Sequence, residues 1–199
     1  QARDAYRDNR ETDRYGANLR TAYDLGDRGT LTAVLKGDKG EFDSTVFNEP
    51  DANGKIERDK GETEEYSAAL EYAVRPVDPV GIVLGGGFHE QQRSGSEDES
   101  DYSYFTGLHY DVVENTRLKV SVARKVRFPS LRELYDQKRG NSDLNAENTM
   151  HYQAGVAQTF PQVASTVECI VFRIDAEDFI QKSEVTGKSA NFESYRFRG

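Results

Sequence analysis

The most restrictive feature of this chain is the order of the connections between its alternating segments. Short and long connections follow one another in strict turn along the whole sequence. The short ones span residues 25–29, 76–79, 113–116 and 161–165, and the long, polar ones span residues 37–63, 90–101, 127–148 and 176–190. A soluble β-sandwich has no reason to keep this order. A meander of strands whose two ends face different environments does.

Alternation with a period of two defines the strands themselves. Between residues 15 and 23 the odd positions carry Tyr15, Ala17, Leu19, Thr21 and Tyr23, and most residues between them are polar. Similar alternation occurs in residues 30–36, 65–74, 80–89, 102–112, 117–126 and 150–160. Residues 166–174 are apolar on both faces, so their orientation stays open, and residues 191–199 form a short polar segment. The pattern predicts about nine strands.

The two patterns together predict an all-β fold, an antiparallel up-and-down meander that forms part of an outer-membrane β-barrel. In such barrels apolar residues face lipid, polar residues face the lumen, short turns are periplasmic and long loops are external. Because hydrocarbon offers the backbone no hydrogen-bond partners, only helices and closed sheets cross it. No window of the chain is a long uninterrupted apolar run, which excludes a membrane-spanning helix.

Composition narrows the function classes further. The chain has 26 Lys and Arg against 35 Asp and Glu, a formal net charge of −9, which argues against a nucleic-acid partner. A single cysteine, Cys169, excludes an internal disulfide and a cysteine-rich zinc site. No catalytic motif occurs, and we expect neither enzyme activity nor a cofactor nor a metal site.

One short helix is predicted in the connection 127–148. Ser130 is followed three residues later by Glu133, which is the spacing of a capping box. Leu131, Leu134 and Tyr135 would share one face of a helical turn from about Ser130 to Asp136.

The same connection carries a family resemblance. Residues 123–147 read ARKVRFPSLRELYDQKRGNSDLNAE, and residues 175–181 read DAEDFIQ. This segment resembles TonB-dependent outer-membrane receptors, whose barrels carry a run of the form R-x-P-S-x-x-E-L-Y and then G-N-x-x-L-x-x-E. The matching residues are Arg127, Pro129, Ser130, Glu133, Leu134, Tyr135, Gly140, Asn141, Leu144 and Glu147.

The resemblance implies a receptor in the outer membrane of a Gram-negative bacterium. It would bind and import a scarce nutrient, such as a ferric siderophore, haem or cobalamin, with energy from a TonB complex. Its partners would be the nutrient chelate, membrane lipid and, through an N-terminal plug domain, that complex. The sequence contains no recognisable plug, energy-coupling box or closing strand. We therefore expect residues 1–199 to be one incomplete segment of a longer barrel.

Three histidines are candidate contacts in the lumen. His89, His109 and His151 each lie one position away from an apolar-face residue, so their parity directs them to the lumen. They could contact haem or a metal, but no two of them have the spacing of a ligand pair. The interpretation we favour is that polar side chains belong on a wet surface.

Four cations of the connection 127–148 are candidate ligand contacts. If this connection is an external loop, its basic side chains could attract an anionic chelate, although solvation explains them about as well. They are Arg127, Arg132, Lys138 and Arg139.

Two other interpretations remain open at this point. The chain could be a smaller complete outer-membrane barrel, either a pore or an adhesin. It could instead be a soluble β-sandwich domain.

Overall fold

The computed structural model describes residues 7–47 and 56–199, and every structural statement below concerns these residues. Their strands form one open antiparallel sheet in the order of the chain. The strands are β1 (Arg7–Asp24), β2 (Thr30–Phe47), β3 (Ile56–Val77), β4 (Val80–Arg93), β5 (Glu99–Val113), β6 (Thr116–Arg127), β7 (Glu147–Phe160), β8 (Ser165–Lys182) and β9 (Ser189–Arg198). One short helix, α1 (Leu131–Tyr135), lies between β6 and β7.

The predicted fold class is confirmed, since nine antiparallel strands follow one another as a meander. Within the described ranges the sheet is open, with β1 paired only to β2 and β9 only to β8. A sandwich of two packed sheets is therefore wrong for this chain. None of the helices found there is long and apolar enough to cross a membrane.

The predicted connection 37–63 is wrong over most of its length. β2 and β3 continue to pair from Thr30↔Ala73 to Phe47↔Ile56. Of this connection, only residues 48–55 lie outside the described part of the chain. Polar residues on both faces made these strand ends resemble a loop. Cross-strand ion pairs stabilise them instead, because Asp43 pairs with Lys60 in register and their charged groups are 3.1 Å apart.

The two faces of the sheet differ as the alternation predicts. One face, called here the apolar face, carries large exposed side chains such as Leu19, Leu70 and Val120, which are 63%, 53% and 49% exposed. The opposite face is called the polar face. Register resolves the orientation of β8, since Ala154 lies opposite Val171 and Gly155 opposite Ile170. Val171 therefore belongs to the apolar face and Ile170 to the polar face.

Buried side chains concentrate at the long-connection end of the sheet. Leu134, Leu144 and Ile180 are 3%, 1% and 7% exposed and form one apolar cluster, against which Tyr135 packs. This cluster joins the connection between β6 and β7 to the end of β8. The polar face at this end is thus covered by residues 128–146, which we call the α1 segment.

Candidate functional site

The α1 segment begins with a complete capping box. The Ser130 hydroxyl accepts a hydrogen bond from the backbone N–H of Glu133 at 3.4 Å, and a Glu133 carboxylate oxygen accepts one from the backbone N–H of Ser130 at 2.8 Å. These bonds satisfy amide groups that the first turn of a helix leaves without partners. The predicted helix and its cap are confirmed, although the helix itself is limited to Leu131–Tyr135.

Two glycines let α1 approach the sheet closely. The ring of Tyr135 occupies the space that a side chain at Gly61 would need, and Leu131 does the same at Gly40. The Tyr135 hydroxyl lies 3.2 Å from the carbonyl oxygen of Glu62 and 3.1 Å from that of Ser94. α1 is therefore placed against β2, β3 and the end of β4, on the polar face.

A network of buried polar side chains on β3 and β4 binds the α1 segment to the polar face. Gln91 has no exposed surface, and its amide nitrogen donates to a Glu65 carboxylate oxygen at 3.0 Å and to the Pro129 carbonyl at 3.1 Å. The buried guanidinium of Arg93 donates to the Gln91 side-chain oxygen at 2.8 Å and to the Leu144 carbonyl at 2.6 Å. Because each buried polar group has a partner, the network orders the segment without leaving an unsatisfied donor there.

Glu99 completes this network from β5. One of its carboxylate oxygens pairs with the guanidinium of Arg93, and the other accepts a hydrogen bond from the backbone N–H of Ala146 at 2.6 Å. The sequence interpretation missed Gln91, Arg93 and Glu99 as site residues. The available signal was that these polar residues occupy strand positions facing the lumen. That signal does not distinguish a buried polar group from a solvated one.

Arg127 joins the strands to the helix. Its guanidinium donates to Glu133 at 3.0 Å and to the buried carboxylate of Glu147 at 2.9 Å. The same Glu147 oxygen accepts the backbone N–H of Ile180 at 3.2 Å. Arg127 is thus engaged in an internal network at the ends of β6, β7 and β8.

These contacts lower the pKa of the Glu133 carboxyl. Burial alone would raise its pKa, but the backbone N–H of Ser130 and the Arg127 guanidinium stabilise the charged form more strongly and lower the pKa below 4.5. The carboxylate is therefore ionised at neutral pH and holds both the cap and the ion pair.

The other three predicted cations contact the buried carboxylate of Asp136, Arg132 through its guanidinium and the other two through their backbone N–H groups. Asp136 is 3% exposed, and one of its oxygens accepts the backbone N–H groups of Lys138 and Arg139, each at 3.0 Å. The other oxygen lies 3.7 Å from Arg132 and 3.2 Å from Arg10. The side chains of Lys138 and Arg139 are exposed.

The structure places the three histidines on the polar face but does not bring them together. His89 lies between two serine hydroxyls, 2.9 Å from Ser67 and 2.8 Å from Ser103. The Nε2 atom of His109 is 3.5 Å from Arg75, and the Nε2 atom of His151 is 3.1 Å from the Thr149 hydroxyl. Over residues 7–47 and 56–199, no three His, Cys, Asp or Glu side chains form a cluster that could hold a metal ion.

An apolar patch interrupts the polar face nearer the short turns. A cavity of about 270 Å³ lies over it, with Val83, Phe105 and Ile170 among its lining side chains. Lys119 and Glu168, whose charged groups are 2.6 Å apart, border the same cavity. Gly107 lies directly opposite Val83, Gly85 opposite Phe105, and Gly155 opposite Ile170. This part of the polar face is therefore apolar, and few side chains protrude from it.

Comparison with known proteins agrees with this architecture. A family model described as "TonB dependent receptor-like, beta-barrel" matches residues 1–199. No protein of curated function matches the chain by sequence.

Solved structures share the fold at low sequence identity. The copper transporter OprC superposes with a TM-score of 0.78 at 14% identity, covering 96% of this chain and 34% of its own. The ferripyoverdine receptor of Pseudomonas aeruginosa gives 0.69 at 11% identity, with 96% and 29% covered. The ferric enterobactin receptor PfeA gives 0.68 at 16% identity, with 96% and 33% covered. The chain therefore spans about a third of the length of these structures.

Proposed function

The chain belongs to the TonB-dependent receptor-like β-barrel family, and from that membership we propose that the whole protein binds and imports a scarce nutrient across the outer membrane. The sheet is part of an outer-membrane receptor barrel of a Gram-negative bacterium. The family consists of transport proteins and not of enzymes. For the nutrient we propose a ferric siderophore, haem or cobalamin.

The observation that carries this proposal is the α1 segment over the polar face. Its contacts with Gly61, Gln91 and Arg93 tie it to β3 and β4 at the end where the long connections lie. In a closed barrel that end faces outside. A segment fixed there by buried hydrogen bonds narrows the external entrance, which supports a selective receptor over an open pore.

The apolar patch on the polar face supports a plug domain. Val83, Phe105 and Ile170 would gain little from facing a water-filled lumen, because apolar surface is stabilised by removal from water. We propose that residues 1–199 form one barrel segment and that a plug carried elsewhere in the protein covers this patch. The TonB complex would then act on the receptor through that plug.

The nutrient is proposed by class only. Three of the solved relatives carry the names of a copper transporter, a ferripyoverdine receptor and a ferric enterobactin receptor, and another is a peptide transporter. The first three names have a metal or a metal chelate in common, and this supports a metal-containing ligand. All four predicted cations are exposed, and we propose that Lys138 and Arg139 of the α1 segment face this ligand.

Uptake by cells with and without the full-length gene tests the proposal. Cells are supplied with radiolabelled ferric siderophores, haem or cobalamin, one at a time. We expect deletion of the gene to abolish uptake of one of them, and inactivation of the TonB complex to abolish the same uptake. Unchanged uptake of all three classes, or uptake that persists without the TonB complex, would contradict it.

A further inference from the structure

The first half of the α1 segment, residues 128–136, is fixed to one side of the sheet. The buried carboxylate of Asp136 lies 3.2 Å from the guanidinium of Arg10 in β1. The Tyr135 ring fills the space beside Gly61 in β3. The helix and the residue that follows it are thus held by the strands at the β1 side.

The second half of the segment, residues 139–146, is fixed to the opposite side of the sheet. The backbone N–H of Ser189 in β9 donates to the Arg139 carbonyl at 2.7 Å, and the Asn141 side chain donates to the Ser189 carbonyl at 3.1 Å. The Asn191 side chain accepts the backbone N–H of Asn145 at 2.9 Å and donates to the Asn145 carbonyl at 3.0 Å. Two residues of β9 therefore hold this half of the segment.

Strands in the middle of the sheet hold the segment as well. Gln91 and Arg93 of β4 donate to its backbone carbonyl groups, and Glu99 of β5 accepts one of its N–H groups. Gln91 and Arg93 are buried. Moving the segment away would remove hydrogen bonds from two buried polar groups, which is unfavourable.

These contacts require the sheet to curve toward its polar face at the long-connection end. The nine strands are separated by eight intervals of about 4.8 Å, which gives an arc of about 38 Å from β1 to β9. Residues 136–139 join the contact with Arg10 to the contact with Ser189, and they span at most about 11 Å when fully extended. Even with the reach of the Arg10 side chain added, this straight path is shorter than the arc.

The connections at the short-turn end cannot bridge the sheet in this way. They have at most five residues between strands, whereas the connection from β6 to β7 has nineteen. Five residues are too few to reach from one side of the sheet to the other. Among the described residues, the long-connection end alone is tied across its width.

From these contacts we propose that the α1 segment is a strap, which holds the external ends of the strands at a fixed curvature and stays in place during import. A lid would instead leave the sheet when the nutrient passes. The fixed curvature is argued from the contacts alone, whereas the part that concerns import rests on the proposed function. The nutrient then enters past the strap, and any opening motion belongs to other parts of the receptor.

Lengthening the strap tests whether it sets the curvature. A flexible linker of six Gly and Ser residues, inserted after Lys138 in the full-length receptor, adds about 13 Å between the two fixed halves. Spin labels are attached in a Cys169→Ala background at Glu41→Cys in β2 and Glu177→Cys in β8, both of which are exposed positions. We expect pulsed electron paramagnetic resonance in lipid vesicles to show a longer and broader distance distribution between these labels.

Two controls separate the strap from local disorder. The same linker inserted after Val185, which is 95% exposed between β8 and β9, lengthens a loop outside the strap and should leave the distribution unchanged. Labels at Asp78→Cys and Val163→Cys in the short turns should keep their separation in every variant. The proposal is overturned if the linker after Lys138 changes nothing, if the linker after Val185 has an equal effect, or if the short-turn pair separates as much.

A disulfide between α1 and β3 tests whether the strap moves during import. Because the Tyr135 ring occupies the place of a Cβ at Gly61, cysteines at these two positions come within disulfide range. Cells carrying Gly61→Cys with Tyr135→Cys, again without Cys169, receive radiolabelled ferric siderophore, haem or cobalamin before and after treatment with a reductant. We expect equal uptake in the two states.

The single variant Gly61→Cys is the control, since it changes the same site without forming the disulfide. Uptake that rises on reduction in the double variant and not in the control overturns the proposal, because the segment must then move. If none of the three compounds is taken up in either state, the proposed function fails, while the spin-label distances still decide whether the segment is a strap.

Discussion

The ring of Tyr135 in α1 lies where a side chain at Gly61 of β3 would have to be. The two residues are far apart in sequence, yet their contact fixes the helix against the polar face. The Tyr135 hydroxyl adds contacts to the carbonyl oxygens of Glu62 and Ser94. The α1 segment therefore depends on the absence of a side chain at one position of the sheet.

Replacing Gly61 with Ala should displace Tyr135 and loosen the α1 segment. Overpacking of this kind costs about 1–3 kcal/mol. Limited proteolysis of the full-length receptor measures it, with faster cleavage in residues 128–146 as the expected result. Gly86→Ala is the control, because a Cβ there meets its nearest atom, the Ser103 carbonyl oxygen, at 3.7 Å. Equal cleavage of the two variants would show that the close approach at Gly61 does not matter.

The capping box gives a second prediction. Ser130→Ala removes the side-chain acceptor of the Glu133 amide and should destabilise the first turn of α1 by about 1 kcal/mol. Hydrogen exchange at the Glu133 and Leu134 amides should accelerate correspondingly. Ser142→Ala serves as the control, because its hydroxyl is exposed and, among the described residues, bonds only to the neighbouring Asp143. Unchanged exchange in Ser130→Ala would mean that packing alone holds the helix.

How much of the site was predictable depends on the distance in sequence between its partners. Ser130 and Glu133 are three residues apart, so their spacing alone predicted the helix and its cap. Gln91 bonds to the carbonyl of Pro129, and Arg93 to that of Leu144. Those contacts form only when the α1 segment folds back over β4. No local sequence pattern predicts that the segment folds back in this way.

The fold was predictable for a different reason. Alternation of apolar and polar residues predicts a strand wherever one face is apolar, as around Leu19 and Val120. It does not predict a strand where both faces are polar. The outer ends of β2 and β3 are of the second kind, since Asp43 and Lys60 stabilise them by charge. The α1 segment could be placed in a long connection from sequence, but not on the polar face.

The depressed pKa of Glu133 predicts a dependence on pH. A carboxyl whose folded-state pKa lies below its ordinary 4.5 stabilises the folded state above that value, and this contribution is lost as pH falls through the folded pKa. Hydrogen exchange in α1 should thus be protected to a constant degree above about pH 5 and less so in more acidic buffer. Glu133→Gln should flatten this profile. A variant with the original profile would show that another group controls it.

The orientation of the faces predicts the effect of charge on β6. Val120 lies on the apolar face and Ser121 on the polar face. Within a membrane, Val120→Arg should destabilise the full-length receptor by about 2–4 kcal/mol if the residue is near the midplane. Ser121→Arg should cost much less, because its face is wet. Denaturant titrations of both variants in lipid vesicles measure the difference, and equal costs would mean that β6 has no lipid-facing side.

The central claim, that the long-connection end of this barrel segment faces outside, is tested most directly by labelling single cysteines on intact cells. The native thiol is exposed at Cys169, so it is first replaced by Ala in the full-length receptor. Cysteines are then introduced at Lys138 in the α1 segment or at Asp78 in a short turn, both of which are exposed positions. A membrane-impermeant thiol reagent should label the cysteine at 138 and not the one at 78. Labelling at 78 with none at 138 would show that the barrel has the opposite orientation in the membrane.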